Sequence, residues 1–325
     1  MSEEKREKLE KFLVAARKEF GVSSVITAND KRQKVDVIST GSPKVDMATG
    51  IGGFPRGRIT EVFGMESSGK TTLALHAAAN CQKSGMDVLF VDVEHALDPR
   101  YASNLGINLA SLIVSQPDNG EQALDIIKFG LSSGAFGMIV LDSVASLVPR
   151  VAFEGDMADA LVGVVARLMS KACPIFVDLA AESNTALVLI NQIRSTIGIS
   201  YGDPTVTSGG KALKFYASIR MQTYRSTLQK DGEDVVGNTV KVKVVKNKLA
   251  PPFKECEAEV IYGRGFSRES DLLDLGQENG SIERGGAWYT INGERLQGKE
   301  RALQYLLMNQ EYCDKLQAEL ITTLD

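Results

Sequence analysis

Residues 64–71, GMESSGKT, satisfy the pattern GxxxxGK[ST] at every defined position. No other stretch constrains the fold as strongly, because the pattern works only between a strand and a helix. Both are predicted here. ITEVFG (59–64) is a β-rich apolar run, and TTLALHAAA (71–79) is helix-forming. Gly64 and Gly69 let backbone N–H groups turn inward around a phosphate, with Glu66, Ser67 and Ser68 forming the loop between them. Lys70 places a point charge at the β- and γ-phosphates, and Thr71 offers its hydroxyl to Mg²⁺. The helix N-terminus adds partial positive charge of its own. The cofactors expected are therefore ATP and Mg²⁺.

Around this loop, strand-like runs alternate with helical ones: DVLFVDVE, a helical stretch near 121–132, GMIVLDS, ALVLINQI, then NTVKVKVVKNK and CEAEVIYG. Such alternation predicts an α/β fold with a mostly parallel central sheet covered on both faces. In the late strand, Val240, Val242 and Val244 face one way and Lys241 and Lys243 the other, which predicts a position near an exposed edge. Residues 3–20 carry apolar positions at helical spacing, with Glu3 and Glu4 in the first turn and Gly21 as a stop. From about 268 the texture changes to a helix, a hairpin (GGAWYTING) and two more helices. The expected division is an N-terminal helix and linker (1–34), an ATPase core with binding loops (35–268) and a small C-terminal α/β domain (269–325).

The net charge is −4, which excludes coating of nucleic acid by bulk positive charge, so any such site must be local. Four widely spaced cysteines and two histidines exclude a zinc site or a disulfide framework by pattern. No apolar run approaches the ~18 residues of a membrane span, and the first twenty residues are charged throughout. A cytoplasmic location without membrane contact is the expectation.

A metal-side acid is expected at the end of a neighbouring strand, and Asp142 ends GMIVLDS. Glu94, ending DVLFVDVE, is the candidate to orient the attacking water, with Asp92 as a competitor that the pattern does not separate from it. Asn191 and Gln192 are amides at a third strand end, which read either as loop anchors or as groups that report on a γ-phosphate.

Taken together, GMESSGKTT, VDVEHALDPRYA, SQPDNGEQAL, LDSVASLVP, INQIRSTIG, GGKALKFYAS and KVVKNKLAPPFK resemble the bacterial RecA recombinase family from about 36 to 300. The resemblance implies an ATP-dependent recombinase that forms a filament on single-stranded DNA and exchanges strands with a duplex. It also implies a DNA-dependent ATPase, with a self-cleaving repressor as a further partner. At matching positions it implies that Lys70, Thr71 and Thr72 hold phosphates and Mg²⁺ and that Asp142 supports the metal. Glu94 would activate water, and Asp98, Tyr101 and Tyr262 would lie at the adenine. Gln192 would sense the γ-phosphate, Lys246 and Lys248 would reach ATP held by the adjacent subunit, and Phe215 would pack across that interface.

Two segments rich in small and polar residues, 154–162 and 194–210, read as mobile loops. By resemblance Val162 and Ile197 wedge between bases, while Arg167, Ser170, Arg194, Gly209 and Gly210 hold phosphates. The residues themselves support this in part: 154–162 carries three acids and no base, whereas 239–254 carries five lysines and no acid, a segment suited to phosphates of ATP or DNA. The chain departs from the family at Met65, Leu161, Lys211 and Pro174. Pro174 stands in a segment the family keeps helical and where it usually has a basic residue, so a break in the helix is expected there, with Lys171 as a substitute charge. The chain stops at LITTLD without the family's acidic tail, from which readier loading on DNA is expected. A DNA-bound scaffold with weak strand exchange is the alternative reading.

Overall fold

The strand Ile59–Gly64 is buried along its whole length, as a central parallel strand covered on both faces must be. The computed structural model describes residues 3–21, 25, 35–154, 162–195, 205–232 and 234–324. The chain divides into two units, Met1–Asp36 and Val37–Asp325. The first contains helix α1 (Glu3–Phe20), with acids in its first turn and Arg17 and Lys18 in its last, matching the helix dipole. Lys8–Glu4 and Lys11–Glu7 pairs one turn apart brace its exposed side.

The second unit begins with β1 (Val37–Ile38), α2 (Pro43–Thr49), β2 (Phe54–Pro55), β3 (Ile59–Gly64) and α3 (Lys70–Lys83). Next come β4 (Asp87–Asp92), α4 (Pro99–Asn104), β5 (Leu112–Ser115), α5 (Gly120–Ser133), β6 (Phe136–Asp142) and α6 (Val151–Glu154). Then follow α7 (Val162–Ser183), β7 (Ala186–Ser195), β8 (Thr205–Thr207), α8 (Ala212–Tyr216), β9 (Ile219–Asp231), β10 (Asp234–Asn247), β11 (Glu255–Ile261) and β12 (Gly265–Phe266). The chain finishes with α9 (Arg268–Glu278), β13 (Ile282–Gly285), β14 (Trp288–Ile291), β15 (Glu294–Gln297), α10 (Lys299–Met308) and α11 (Gln310–Thr322).

The large sheet runs in the order β12-β11-β10-β9-β3-β7-β6-β4-β5. From β9 to β5 every pairing is parallel, and from β9 to β12 every pairing is antiparallel. Alternation along each strand supplies both faces. On β4, Val88 and Phe90 join a core under α3, while Leu89 and Val91 join one under α5 and α7. The C-terminal elements have their own core, in which Leu272, Leu273, Ile282, Tyr289, Ile291, Leu306 and Leu316 meet. The strands there form the antiparallel sheet β13-β14-β15.

One expectation is corrected. Helix α7 runs unbroken through Pro174. Its face of Met169, Ala172, Cys173, Phe176 and Ala180 is buried in the second core, and at roughly 2 kcal/mol for each large side chain this outweighs one lost backbone bond. Strand β10 lies near the end of the sheet, as expected, with only β11 and the two-residue β12 beyond it. The valine–lysine alternation there records one covered face and one open face.

Candidate functional site

The phosphate loop is held from beneath. A Cβ on Gly64 would lie 2.3 Å from the Thr223 carbonyl oxygen of β9, so only glycine fits. Ser68 is buried and hydrogen-bonds the Met65 carbonyl at 2.7 Å and the Thr223 hydroxyl at 2.8 Å. Gly69 caps α3 at φ 83°, and Ser67 also has positive φ, at 54°. These left-handed residues turn the loop back over the start of α3. Lys70 donates to the Met65 carbonyl at 2.7 Å. Burial pushes its ammonium below the usual lysine range, and the nearby acids Asp142, Glu94 and Glu66 counter this. A cation so placed gains from any anion that enters the loop. Glu66 is exposed at its rim. Thr72 and Tyr101 join their hydroxyls at 2.9 Å, tying α3 to α4, and Asp98 caps α4 through the Arg100 amide at 2.8 Å. Tyr262 stands exposed just beyond β11.

Three strand ends converge beside Lys70. Thr71 donates to Asp142 at 2.6 Å. Burial raises the Asp142 carboxyl to about 6, with the Thr71 bond opposing. A hydroxyl and a buried carboxylate are oxygen donors of the kind Mg²⁺ prefers. Asp92 and Glu94 are separated by their partners. Asp92 is buried and accepts from the amides of Ala96 and Leu97 and from Gln116, so it closes the turn after β4. Glu94 is exposed and accepts from Ser143 at 2.5 Å, Ser146 at 2.9 Å and Gln192 at 2.9 Å. Sequence reasoning missed Ser143 and Ser146; the only signal was the serine following Asp142 in LDSVAS.

Lys246 and Lys248 lie away from this loop, at the end of β10. Lys246 donates to the carbonyls of Lys214 and Phe215 at 2.6 and 2.9 Å, and Lys248 to that of Phe215 at 3.1 Å. They thereby satisfy the free carbonyls ending α8. Burial, together with Lys248 and Arg220 nearby, lowers Lys246 to about 8. Phe215 itself is 69% exposed. Of the other lysines in 239–254, Lys241 and Lys243 both face Glu255.

The residues expected at DNA fall around α7, β7 and the turn before α8. Val162 opens α7, and Arg167 and Ser170 are exposed along it. Arg194 lies on β7. Gly209 and Gly210 form a turn with φ of 82° and 75°. Cβ atoms there would come within 2.9 Å of Val144 and Ala166 respectively, so α7 packs tightly on this turn. Ile197 and Leu161 lie outside the described residues.

The comparisons with known proteins agree with one another. The RecA N-terminal domain model matches residues 7–267 and the RecA C-terminal domain model residues 270–325. The Protein RecA of Streptomyces venezuelae is 51% identical over 97% of this chain and 84% of its own length. That of Mycobacterium marinum is 51% identical over 97% and 92%. Among solved structures, that of the RadB recombinase aligns with 71% of this chain and 98% of its own at a TM-score of 0.53 and 23% identity, a likeness of fold. With nearly the whole length matched by both domain models, this chain belongs to the RecA family.

Proposed function

We propose that this chain is an ATP-dependent DNA recombinase that assembles as a filament on single-stranded DNA and pairs it with a homologous duplex. One observation carries the reading. Gln192, on the strand leading into residues 196–204, donates to Glu94 at 2.9 Å, so the water-activating candidate and the DNA-side segment share a hydrogen bond.

ATP would lie in the loop 64–72 and be hydrolysed to ADP and phosphate. Backbone N–H groups and Lys70 bind its phosphates, and Glu94 orients and deprotonates the attacking water. Thr71 and Asp142 would hold Mg²⁺, which would supply charge neutralisation for the phosphates. Gln192 would leave Glu94 for the γ-phosphate and draw β7 with it. Lys246 and Lys248 would leave α8 for the ATP of the adjoining protomer, making nucleotide binding and filament assembly one event. Arg167, Ser170 and the Gly209–Gly210 turn would face the DNA backbone.

The test is phosphate release with and without single-stranded DNA, for the native chain and Glu94→Gln. Stimulation by DNA in the native chain, with a loss of about 100-fold or more in the variant, is the expected outcome. Hydrolysis indifferent to DNA contradicts the proposal.

A further inference from the structure

Asn191 carries a fully engaged and fully buried carboxamide. Its Nδ2 donates to Glu61 and to the Ser208 carbonyl, both at 2.9 Å, and its Oδ1 accepts from the Gln192 amide at 2.9 Å. Two donors and one acceptor leave only a second lone pair unused. Glu61, on β3, has no exposed surface, and its other oxygen accepts from Arg220 of β9 at 2.5 Å. The Arg220 guanidinium also lies 4.4 Å from the centre of the Phe63 ring. The three polar residues thus come from three adjacent strands, and the carboxylate is charge-paired, as a buried one must be.

The bonds of Asn191 go to both ends of one segment. Residues 193–195 pair antiparallel with 205–207, forming a short stem. Asn191 binds the first amide above its own position on one side of that stem and the Ser208 carbonyl on the other. The hydroxyls of Thr207 and Ser208 are buried without a hydrogen-bond partner among the described residues. Among the described residues, the carboxamide adds to the strand pairing the side-chain bonds that join the two sides at this point. Gln192, whose side chain reaches Glu94, is the residue between the carboxamide and the stem.

We propose that Asn191, anchored by the Glu61–Arg220 pair, is a positioning residue that makes the two ends of segment 192–208 move together. A displacement of Gln192 at the nucleotide is then transmitted to Ser208 and the glycine turn behind it, and not to the 196 side alone. This deepens the proposed function and rests on it.

The chemistry supplies a test that a merely structural role would not pass. Asn191→Asp puts two carboxylates face to face. Adding Glu61→Gln restores the bond between the two positions with reversed polarity and the same net charge, and leaves an amide oxygen for Arg220. Neither change restores the bond to Ser208, because a carboxylate donates nothing. The double variant is expected to keep the DNA-free hydrolysis rate with a lowered thermal midpoint, because the Ser208 carbonyl loses its donor, while stimulation by single-stranded DNA falls about tenfold. Full stimulation in the double variant overturns the inference. If the native chain shows no stimulation, it is the recombinase reading that fails. Should the double variant unfold early, hydrogen exchange on the native chain decides. With single-stranded DNA and a non-hydrolysable ATP analogue, amides of 192–195 and 205–208 should change protection together, and a change confined to one side overturns the inference.

Discussion

Gln192, on β7, and Glu94, just beyond β4, meet at 2.9 Å although those two strands are not neighbours: β6 lies between. The bond therefore crosses over the end of β6, where Asp142 holds Thr71. The proposed sensor Gln192, the proposed water-activating Glu94 and the proposed metal-side pair Thr71–Asp142 thus lie at three consecutive strand ends on one edge of the sheet, which is where ligands bind in open α/β folds.

Gln192→Ala removes the donor without exposing apolar core. Single-stranded DNA should stimulate hydrolysis at least about tenfold less than in the native chain, while thermal stability stays within about 0.5 kcal/mol. Phosphate release and a melting curve on the same preparation check both.

If Lys246 and Lys248 serve a neighbour's nucleotide, two inactive variants should complement each other. Lys70→Ala lacks its own phosphate site but keeps its lysines for the next protomer, and Lys246→Ala does the reverse. With random mixing at equal amounts, one junction in about four is intact, because both halves must be native. Hydrolysis near a quarter of the native rate is expected from the mixture and almost none from either alone; a mixture no better than its parts places these lysines in their own protomer's site.

The buried carboxylate of Asp271 gives a pH dependence of known sign. Burial raises it to about 7, with bonds from Ser42 and the Lys44 amide opposing, and its Oδ1 has no hydrogen-bond partner among the described residues. The folded state holds the proton more tightly than the unfolded one. Its contribution is thus complete below about 4 and is lost as pH rises through about 7. Asp271→Asn should stabilise the chain by roughly 1–2 kcal/mol at pH 8 and by little at pH 5, read from denaturant unfolding at the two values. Asp46, raised to about 7 by burial, contributes with the same sign and remains as background.

Pro174→Ala should add a donor for the Ser170 carbonyl within α7. A gain of about 1 kcal/mol is expected, part of the ~3 kcal/mol that a helix-interior proline costs, since the surrounding turn already accommodates the ring. Urea unfolding measures it, and a loss of stability would mean that the local geometry depends on the proline.

Much of this protein was legible in its sequence because local rules decide it. A loop that must place N–H groups around a phosphate requires Gly64, Gly69, Lys70 and Thr71 at fixed spacing, and strand–helix alternation allows few sheets other than a parallel one. What no local rule reaches is which strand ends become neighbours. Asp92 and Glu94 share one segment, yet one closes a turn and the other faces Ser143, Ser146 and Gln192, because their partners come from other strands and a turn beyond. Pro174 breaks a helix by its own preference and is overridden by the apolar face buried around it. Lys246 belongs to a basic run that suggests phosphate, and in the folded chain it caps α8. Glu61, Asn191 and Arg220 lie 130 and 29 residues apart along the chain. They meet because β7, β3 and β9 are adjacent in the sheet. Strand order is set by the burial of two faces at once, a property of the whole sheet that no single segment encodes.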